Sequence, residues 1–475
     1  MKASTSSSRT AATRAVVLGA SMAGLLAARV LSERFSEVVV LERDELPAVP
    51  APRKGTPHAV HPHGLLARGR EVLEQLFPGF TETLVARGAL LGDLQRDADF
   101  FANAQRFADG TAGHIGLCAS RLAIEHELRC RVLALPNVRL IDGVDVHEPV
   151  FDRTHGRVKA ARYAAREGDT TLRELSADLT VDCTGRATRA SQWLAGWGFE
   201  APAEEQVDIG ICYASAYFER SGAMEFGRGV GKSVVICAAT PGLPRPGVLI
   251  AQEPDAGGTA RWVVAVGGYA GDHPTATIEG MRQRALELGS ADITRVTHDG
   301  RMLGPVQRYV YPHSLRRRYE RLGRFPGGLL LLGDSMTTFN PIFGQGMSVA
   351  ACEALSLQTE LARGDAGLAR RYFKAVARVI DTPWQLAVGG DLAIATVPGP
   401  RPLPLKIINT YVARVQRAAR HDPVVGLAFL RVAHLLAAPP SLFAPRIFWR
   451  VMVKGGSAAA APGHRAPAVG GTAMA

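Results

Sequence analysis

Three small residues, Gly19, Ser21 and Gly24, have the spacing of a glycine-rich turn that binds the phosphates of a dinucleotide. Gly19 permits a tight turn, and Ser21, at the position of the usual middle glycine, is small enough to let a phosphate approach the backbone. Gly24 lets the next helix pack closely, and the first N–H groups of that helix are suited to a phosphate. The predicted phosphate-binding residues are Gly19, Ala20, Ser21, Met22, Ala23 and Gly24.

An acidic residue lies at the distance that this pattern requires. Glu42 follows Gly19 by 23 residues, where a carboxylate would accept hydrogen bonds from an adenosine ribose. Arg43 comes directly after it. Asp182 and Gly185 lie at the end of another apolar run, in the stretch Asp-Cys-Thr-Gly-Arg. We predict that all four residues contribute to the cofactor site.

A second glycine-containing turn, late in the chain, follows another acid. Asp334 ends the run Leu-Leu-Leu-Leu-Gly-Asp, and Pro341, Gly344 and Gly346 follow it. The proline shapes a turn, and the glycines permit close approach of the backbone. A helix predicted from Met347 would stabilise negative charge with its N-terminus. These five residues are candidates for a second contact with the cofactor.

The loop 53–64 combines positive charge with histidines. It contains Arg53, Lys54 and three histidines, of which His61 and His63 form a His-x-His pair. A metal site would need further ligands, and no carboxylate lies nearby in the sequence, so we predict no metal. The alternatives are a solvated basic turn and, as we favour, a loop that returns over the cofactor.

Arg121 occupies an unusual place for a cation. Ser120 predicts the N-cap of a helix over 120–128, which puts Arg121 in the first turn, where the helix dipole disfavours positive charge. A bound anion would explain this placement, and a plain surface arginine is the alternative. Arg121 is therefore a candidate cofactor residue.

Buried parallel strands must bring these residues together. Apolar runs at 15–18, 38–41, 178–182 and 329–332 predict such strands, and the run at 25–31 predicts the helix after the first strand. After about residue 200, β-rich stretches separated by Gly and Pro predict a largely antiparallel sheet.

The predicted organisation has two tails and three folded parts. In the mostly helical C-terminal part, prolines at 383, 398, 400, 402 and 404 predict breaks. The parts are a disordered tail at 1–13, a cofactor-binding domain at 14–200 and 300–365, a substrate-binding sheet at 201–299, a helical region at 366–455 and a disordered tail at 456–475.

Composition limits the functions that are open to the chain. Its 475 residues are 47% hydrophobic and 21% charged, as in ordinary globular proteins, and its net charge of +11 suits an anionic cofactor. The positive charge is spread out and accompanies no nucleic-acid motif, so we predict no nucleic-acid binding. The six cysteines form no Cys-x-x-Cys pair, which indicates reduced thiols and a cytoplasmic location.

Neither a secretory signal nor a membrane-spanning helix is expected. The N-terminus is polar, and no run of 18 apolar residues occurs. Apolar stretches over 423–453, interspersed with Arg431, Arg446 and Arg450, admit a peripheral membrane contact. The alternative is a set of helices packed on their own protein, with arginine stems covering apolar surface.

The order of these motifs resembles that of the FAD-dependent monooxygenases of the aromatic-hydroxylase and squalene-epoxidase superfamily. The resemblance covers about residues 14–365. Within it, RKGTPHAVHPHGLLARG and LLGDSMTTFNPIFGQGMS resemble the bacterial polyketide and polyether epoxidases. It implies a mixed α/β fold with a Rossmann-like, doubly wound FAD-binding sheet, an inserted antiparallel substrate-binding sheet and C-terminal helices.

The resemblance also implies roles for individual residues. Arg121 would reach the flavin, the Val146 backbone would contact the adenine, and Asp334 would bind the ribityl or pyrophosphate portion. Cys183 and Thr184 separate Asp182 from the next glycine, which departs from the family's Asp-Gly dipeptide. Around the isoalloxazine the resemblance places Arg53, His61, Pro341 and residues 344–347.

The activity that the resemblance implies is hydroxylation or epoxidation of an apolar, alkene- or arene-bearing small molecule in secondary metabolism. One oxygen atom from O₂ would be transferred through a flavin C4a-hydroperoxide. Because the chain has no second glycine fingerprint, electrons would come from transiently bound NAD(P)H or from a flavin reductase or ferredoxin partner.

Other functions share this fold. A prenyl reductase, a dehydrogenase or a cyclase would bind FAD without needing O₂. A halogenase would carry a Trp-x-Trp-x-Ile-Pro segment, which this sequence lacks. A flavin-binding regulator or carrier would bind FAD without turnover.

Overall fold

The computed structural model of the protein describes residues 13–456, which form eighteen strands and twelve α-helices. Apart from residues 13 and 456, the predicted tails lie outside the described residues. The strands are β1 (Arg14–Leu18), β2 (Glu37–Leu41), β3 (Leu90–Asp93), β4 (Ala98–Ala102), β5 (Gln105–Arg106), β6 (Ile115–Cys118), β7 (Val138–Ile141), β8 (Val144–Asp152), β9 (Arg157–Ala165), β10 (Arg173–Ser176), β11 (Leu179–Asp182), β12 (Glu204–Glu219), β13 (Val234–Ala238), β14 (Gly247–Gln252), β15 (Arg261–Gly268), β16 (Gln307–Arg317), β17 (Leu329–Leu331) and β18 (Thr337–Thr338). The helices are α1 (Met22–Leu31), α2 (Ala67–Leu76), α3 (Phe80–Ala86), α4 (Arg121–Leu133), α5 (Ala190–Trp197), α6 (Ile278–Glu287), α7 (Ala291–Asp299), α8 (Gly346–Ala362), α9 (Leu368–Ala393), α10 (Leu403–Ala419), α11 (Pro423–Ala433) and α12 (Pro445–Lys454).

A five-stranded parallel sheet is the centre of the part predicted to bind the cofactor. Its strand order is β17-β11-β1-β2-β7, and all neighbours run in parallel. The apolar strands are almost completely buried because helices cover them, and α1 packs against both α8 and α4. The mixed α/β fold predicted from the sequence is confirmed.

An eight-stranded sheet forms the second layer, in the order β18-β16-β12-β15-β14-β13-β4-β5. Most pairs are antiparallel, as predicted, and β13 with β4 is the parallel pair. The sheet extends beyond the predicted range 201–299, because β4 and β5 join it from the N-terminal part and β16 and β18 from the range assigned to cofactor binding. Such long-range pairing leaves no local sequence signal.

The C-terminal part is helical, but one predicted break is wrong. Pro383 lies inside α9, which runs unbroken over 26 residues. Pro383 is buried, and Ile380, Trp384 and Ala387 around it pack into the main core, which offsets the lost backbone hydrogen bond. The remaining prolines lie where α9 gives way to α10. Helices α10, α11 and α12 pack on one another.

None of the helices within residues 13–456 is both long enough and apolar enough to cross a membrane.

Candidate functional site

The carboxyl ends of the neighbouring strands β11, β1 and β2 meet at one edge of the parallel sheet. The register pairs Leu18 with Leu41 and with Asp182, so the turns after these strands begin side by side. The Gly19 N–H donates to the Leu41 carbonyl at 2.7 Å, and the Cys183 N–H donates to the Leu18 carbonyl at 2.9 Å. Doubly wound sheets bind their ligands at such an edge.

The two glycines of the first turn allow close backbone contacts. Gly19 has a φ of +98°, and a Cβ there would lie 2.7 Å from the Cys183 carbonyl oxygen. A Cβ at Gly24 would lie 1.8 Å from the Gly19 carbonyl oxygen. Neither position accepts a side chain, so these glycines bring β1, α1 and the turn after β11 together.

Helix α1 begins at this turn, and the Ser21 side chain does not cap it. Ser21 is the N-cap residue, yet its side chain makes no capping hydrogen bond. Its hydroxyl instead donates to the Glu125 carboxylate at 2.6 Å and accepts from the Arg121 guanidinium at 2.9 Å. Ser21, Met22 and Ala23 line a large cavity. The positive end of a helix dipole therefore borders an open space, which suits an anion.

Arg121 adds a cation to this corner of the cavity. It lies in the first turn of α4, whose N-cap is Ser120 as predicted. The guanidinium is 12% exposed and lies 3.0 Å from His58 Nε2. Its Nε is buried and has no hydrogen-bond partner among the described residues. An anionic ligand would satisfy that donor, which would otherwise cost free energy.

Arg53 is held away from the cavity by three carboxylates. Its guanidinium, 7% exposed, lies 3.2 Å from Glu42, 3.0 Å from Asp44 and 2.9 Å from Glu125. Burial lowers the pKa of Arg53, but the charges of Glu125 and Glu42 outweigh it and raise the pKa above its usual value. Arg53 therefore lies at the end of β2 and does not lie beside the second turn, where the isoalloxazine was predicted. The three buried carboxylates hold it there because they need a cation.

Glu42 fixes the first turn to the end of β2. Its carboxylate accepts the Ala20 N–H at 2.6 Å and the Asp44 N–H at 3.0 Å. Glu42 is buried and is not among the residues that line the cavity. Its contact with a ribose stays a prediction, and its observed role is to position residues 19–24.

The histidine loop closes over the cavity through residues other than the predicted one. His58, His63 and Gly64 line the cavity. His61 is buried against the eight-stranded sheet, where its Nδ1 lies 2.9 Å from the Ser215 hydroxyl. The Tyr217 hydroxyl donates to the Val60 carbonyl at 2.7 Å and anchors the loop. His61 therefore supports the loop and does not line the cavity.

The surroundings of these histidines favour their neutral form over the protonated one. Burial, together with the nearby Arg121 charge, lowers the pKa of His58 to about 3. Burial also lowers the pKa of His61 to about 4 and that of His63 well below its usual value. The three histidines of the loop are therefore neutral at pH 7. Within residues 13–456 no group of three His, Cys, Asp or Glu side chains could hold a metal.

The second turn faces the first across the cavity. Gly333, with a φ of +71°, comes so close to α1 that an added Cβ would lie 2.7 Å from the Ala23 Cβ. Asp334 is exposed to the cavity, and its enclosure by the surrounding protein raises the pKa of its carboxyl despite the charges of Arg121 and Arg186. Pro341, Gly344, Gln345, Gly346 and Met347 also line the cavity.

The second turn contacts the histidine loop directly. Gly344 has a φ of +62°, and a Cβ there would lie 3.4 Å from the Gly64 Cα. Helix α8 starts immediately afterwards, and no side chain caps its N-terminus. A second positive helix end therefore borders the same cavity.

Like Arg53, Glu42 and His61, three further predicted residues do not line the cavity. Asp182 is completely buried, and its carboxylate accepts hydrogen bonds from Thr184 and Thr188. It holds the turn that presents Gly185 to the cavity. Arg43 is exposed, 3.7 Å from Asp145. The Val146 carbonyl accepts from Arg189 at 2.8 Å. A short motif at the end of a strand predicts where a residue lies in the fold, but it does not predict whether the side chain points into the cavity.

Sequence reasoning missed a cationic and aromatic wall. The Arg186 guanidinium lies 4.4 Å from the centre of the Tyr311 ring, within reach of a cation–π interaction. Both residues line the cavity, together with Tyr309 and Tyr213. Tyr309 and Tyr311 are two residues apart on β16 and therefore point to the same face of the sheet. This period-2 spacing was the sequence signal that could have predicted an aromatic wall.

The cavity continues from the cofactor edge into an apolar chamber. Its volume is about 1660 Å³. One wall is the eight-stranded sheet and the other is formed by the C-terminal helices. The apolar lining includes Val234, Ile236, Val248, Ile250, Trp384, Leu386, Leu392, Leu405 and Ile408.

These features fit an extended dinucleotide cofactor. Two helix N-termini and the unpartnered Arg121 Nε suit a pyrophosphate, and Gly19, Gly24 and Gly333 lie too close to neighbouring atoms to carry a side chain. The apolar chamber beyond them suits a hydrophobic substrate.

Comparison with known proteins agrees with this geometry. No protein-family model matches the chain. The curated protein Rv3254 of Mycobacterium tuberculosis is 36% identical over 447 residues, 89% of this chain and 89% of its own length.

Solved structures share the fold at low sequence identity. PqsL of Pseudomonas aeruginosa, described as a probable FAD-dependent monooxygenase, gives a TM-score of 0.58 at 15% identity over 80% of this chain and 97% of its own. A flavoprotein/dehydrogenase from Cytophaga hutchinsonii gives 0.63 at 16% identity over 93% of this chain and 98% of its own. The fold predicted from the resemblance is therefore confirmed.

Proposed function

We propose, from the premise that the chain belongs to the family of protein Rv3254 and has the fold of the FAD-dependent monooxygenases, that it is an FAD-dependent monooxygenase. Its substrate would be an apolar small molecule with an alkene or arene group, which it would hydroxylate or epoxidise. The observation that carries this proposal is the single cavity that joins the dinucleotide-binding edge to an apolar chamber.

Residues at the cofactor edge would hold FAD by its charged and polar parts. The pyrophosphate would bind at the N-terminus of α1 and at Arg121, because both offer unused N–H donors. Asp334 would accept hydrogen bonds from the ribityl hydroxyls. Residues 344–347 would line the isoalloxazine, since they border the cavity next to the histidine loop.

FAD, when bound and reduced, supplies the electrons that split O₂, with one oxygen atom delivered to the substrate and the other to water. The chain's own residues provide the environment for this chemistry. The N-terminus of α8 stabilises negative charge beside residues 344–347. The neutral histidines and the apolar walls exclude water, and they place an apolar substrate next to the cofactor.

The source of electrons is part of the proposal. The chain has one glycine fingerprint, which FAD would occupy. We therefore infer that NAD(P)H binds transiently or that a flavin reductase or ferredoxin delivers the electrons. Comparison of NADH, NADPH and a reductase system in one oxygen-consumption assay would distinguish these sources.

Oxygen labelling tests the reaction class. FAD-loaded protein, reduced in the presence of a panel of apolar alkenes and arenes, would be exposed to ¹⁸O₂ and its products analysed by mass spectrometry. Incorporation of one ¹⁸O atom supports the proposal. Turnover to an unlabelled product would contradict it.

The second candidate is a dehydrogenase or another FAD enzyme that needs no O₂. It is favoured by the likeness to the flavoprotein/dehydrogenase from Cytophaga hutchinsonii, which covers 93% of this chain. The same panel decides between the two, because a dehydrogenase would reduce an artificial electron acceptor under anaerobic conditions while converting its substrate.

A further inference from the structure

The cavity opens to the surface between two C-terminal segments. Pro402, Pro404 and Ile408 line it from the start of α10, and Pro440 and Phe443 line it from the segment before α12. All five are exposed. Their exposure marks a mouth through which a ligand can reach the apolar chamber.

Large apolar side chains are exposed on the two helices, α10 and α12, that adjoin the segments at this mouth. On α10, Leu403 is 69% and Ile407 is 60% exposed; on α12, Trp449 is 71% and Val453 is 60% exposed. A patch of this kind is costly in water and marks an interaction surface. We call it the C-terminal patch; it consists of Leu403, Ile407, Ile408, Phe443, Phe448, Trp449, Met452 and Val453.

Helix α12 has apolar side chains on its outer side as well as on the side that packs against the protein. Ile447 and Val451 pack inward against the cluster formed by α10 and α11. Phe448, Trp449 and Val453 are exposed on the outer side. A surface helix ordinarily has polar residues on its outer face. The exposed apolar side chains of α12 therefore suit an apolar environment better than water.

Aromatic stacking joins the two helices into one surface. The Tyr411 ring of α10 stacks on Phe443, with centroids 4.4 Å apart, and lies 6.0 Å from Phe448 of α12. The Tyr411 hydroxyl donates to the Leu442 carbonyl at 2.7 Å. The patch is therefore a fixed feature of the fold.

Positive charge accompanies the patch. The segment 401–456 contains nine Lys or Arg residues and a single acid, Asp422, and so carries eight of the eleven net positive charges. The charge is thus concentrated here, contrary to the expectation that it is spread along the chain. Asp422 is buried and paired with Arg450 and Lys454, while Lys406 and Arg446 are exposed on the same two helices.

We propose that the C-terminal patch docks the protein on an anionic lipid bilayer, with the cavity mouth against the acyl chains. Apolar side chains bordered by Lys and Arg are the composition of a surface that lies in a membrane interface. Since no described helix could span a bilayer, the contact is with one leaflet. The consequence that a lipid-soluble substrate enters through this mouth rests on the proposed function.

Vesicle binding tests the docking. The full chain is mixed with phosphatidylcholine vesicles with and without phosphatidylglycerol, and bound protein is measured by flotation. Binding to the anionic vesicles, weakened by salt, is expected. Trp449 is the most exposed of the five tryptophans, so brominated acyl chains should quench its fluorescence.

Variants separate the patch from the rest of the surface. Trp449→Ser is expected to weaken partitioning about tenfold, and Arg446→Gln about fivefold on anionic vesicles only. The matched controls are Leu286→Ser, an exposed leucine on α6, and Arg228→Gln, an exposed arginine elsewhere. Both controls should bind like the parent.

Results of two kinds would overturn the proposal. One is an absence of binding to anionic vesicles, or binding that Trp449→Ser leaves unchanged. The other is a dimer, detected by light scattering, that Trp449→Ser dissociates, because the patch would then be covered by a second copy. The assay requires neither FAD nor turnover, so its failure and a failure of the proposed function are distinguishable.

Discussion

The Arg53 guanidinium and the Glu42 carboxylate lie 3.2 Å apart at the end of β2, both almost fully buried. Glu42 also accepts the Ala20 N–H at 2.6 Å. The Glu42 carboxylate therefore links the glycine turn at residues 19–24 to Arg53, the cation that neutralises this carboxylate. This relationship makes Arg53 a support of the cofactor site and not a wall of it.

We expect Arg53→Met to lower the free energy of unfolding by about 3–5 kcal/mol, because it leaves Glu42, Asp44 and Glu125 buried without a shared cation. Urea denaturation measures the change. Arg43→Met is the control, since Arg43 is 67% exposed and its loss should change stability by less than about 0.5 kcal/mol. Equal effects of the two substitutions would contradict the assigned role.

Glu42→Gln is expected to weaken FAD binding by about 1–3 kcal/mol, because the Ala20 N–H, and with it the turn at residues 19–24, loses a charged acceptor. Fluorescence quenching of added FAD gives the affinity. Glu37→Gln, a partly exposed acid at the start of the same strand, should leave the affinity unchanged. If Glu42→Gln binds FAD as tightly as the parent, the acid has been misassigned.

Gly24→Ala is expected to abolish FAD binding and to lower stability by several kcal/mol, since its Cβ would lie 1.8 Å from the Gly19 carbonyl oxygen. The control is Gly196→Ala, in helix α5, where an added Cβ meets nothing within 4 Å. There alanine should be neutral or stabilise the protein by up to about 1 kcal/mol. Thermal shift with and without FAD reports both effects, and a normal FAD response of Gly24→Ala would argue against the turn.

Glu353 should make the stability of the protein depend on pH. It is buried on α8, where its carboxylate accepts the Gly333 N–H at 2.6 Å, and burial together with the charge of Asp334 raises its pKa from 4.5 to about 8. Because the folded state binds this proton more tightly than the unfolded state, protonated Glu353 contributes fully to stability below pH 4.5. This contribution is lost as the pH rises through about 8.

Glu353→Gln removes that dependence because the amide keeps the neutral shape. Its stability relative to the parent should rise by about 3 kcal/mol between pH 5 and pH 8, measured by thermal unfolding without FAD. Glu71→Gln, whose side chain is 40% exposed, is the control and should show a constant difference. A constant difference for Glu353→Gln as well would mean that Glu353 is charged in the fold.

The sequence alone predicted the parallel strands and the glycine turns, because an apolar run and a glycine spacing are local signals. Gly19, Gly24, Gly185 and Asp334 lie where the pattern placed them. It misplaced Arg53 and His61, because the Glu125 carboxylate and the Ser215 hydroxyl, both remote in sequence, help to determine where those side chains go.

The wall of the cavity was also beyond local reasoning. Tyr309 and Tyr311 belong to β16, which was assigned to the wrong part of the chain because strand pairing with β12 is a long-range property. The C-terminal patch shows the opposite case. Its apolar and basic residues can be recognised in the sequence, but only the fold shows that they lie on two helices next to one opening of the cavity.

The central claim is that this cavity binds FAD through the turns at Gly19 and Asp334. Its most direct test is an equilibrium titration of the purified, folded chain with FAD, followed by flavin fluorescence. We predict saturable binding of one FAD per chain, strongly weakened by Gly24→Ala and unaffected by Gly196→Ala. A folded chain that binds no FAD, or that binds it equally well with Gly24→Ala, would contradict the account.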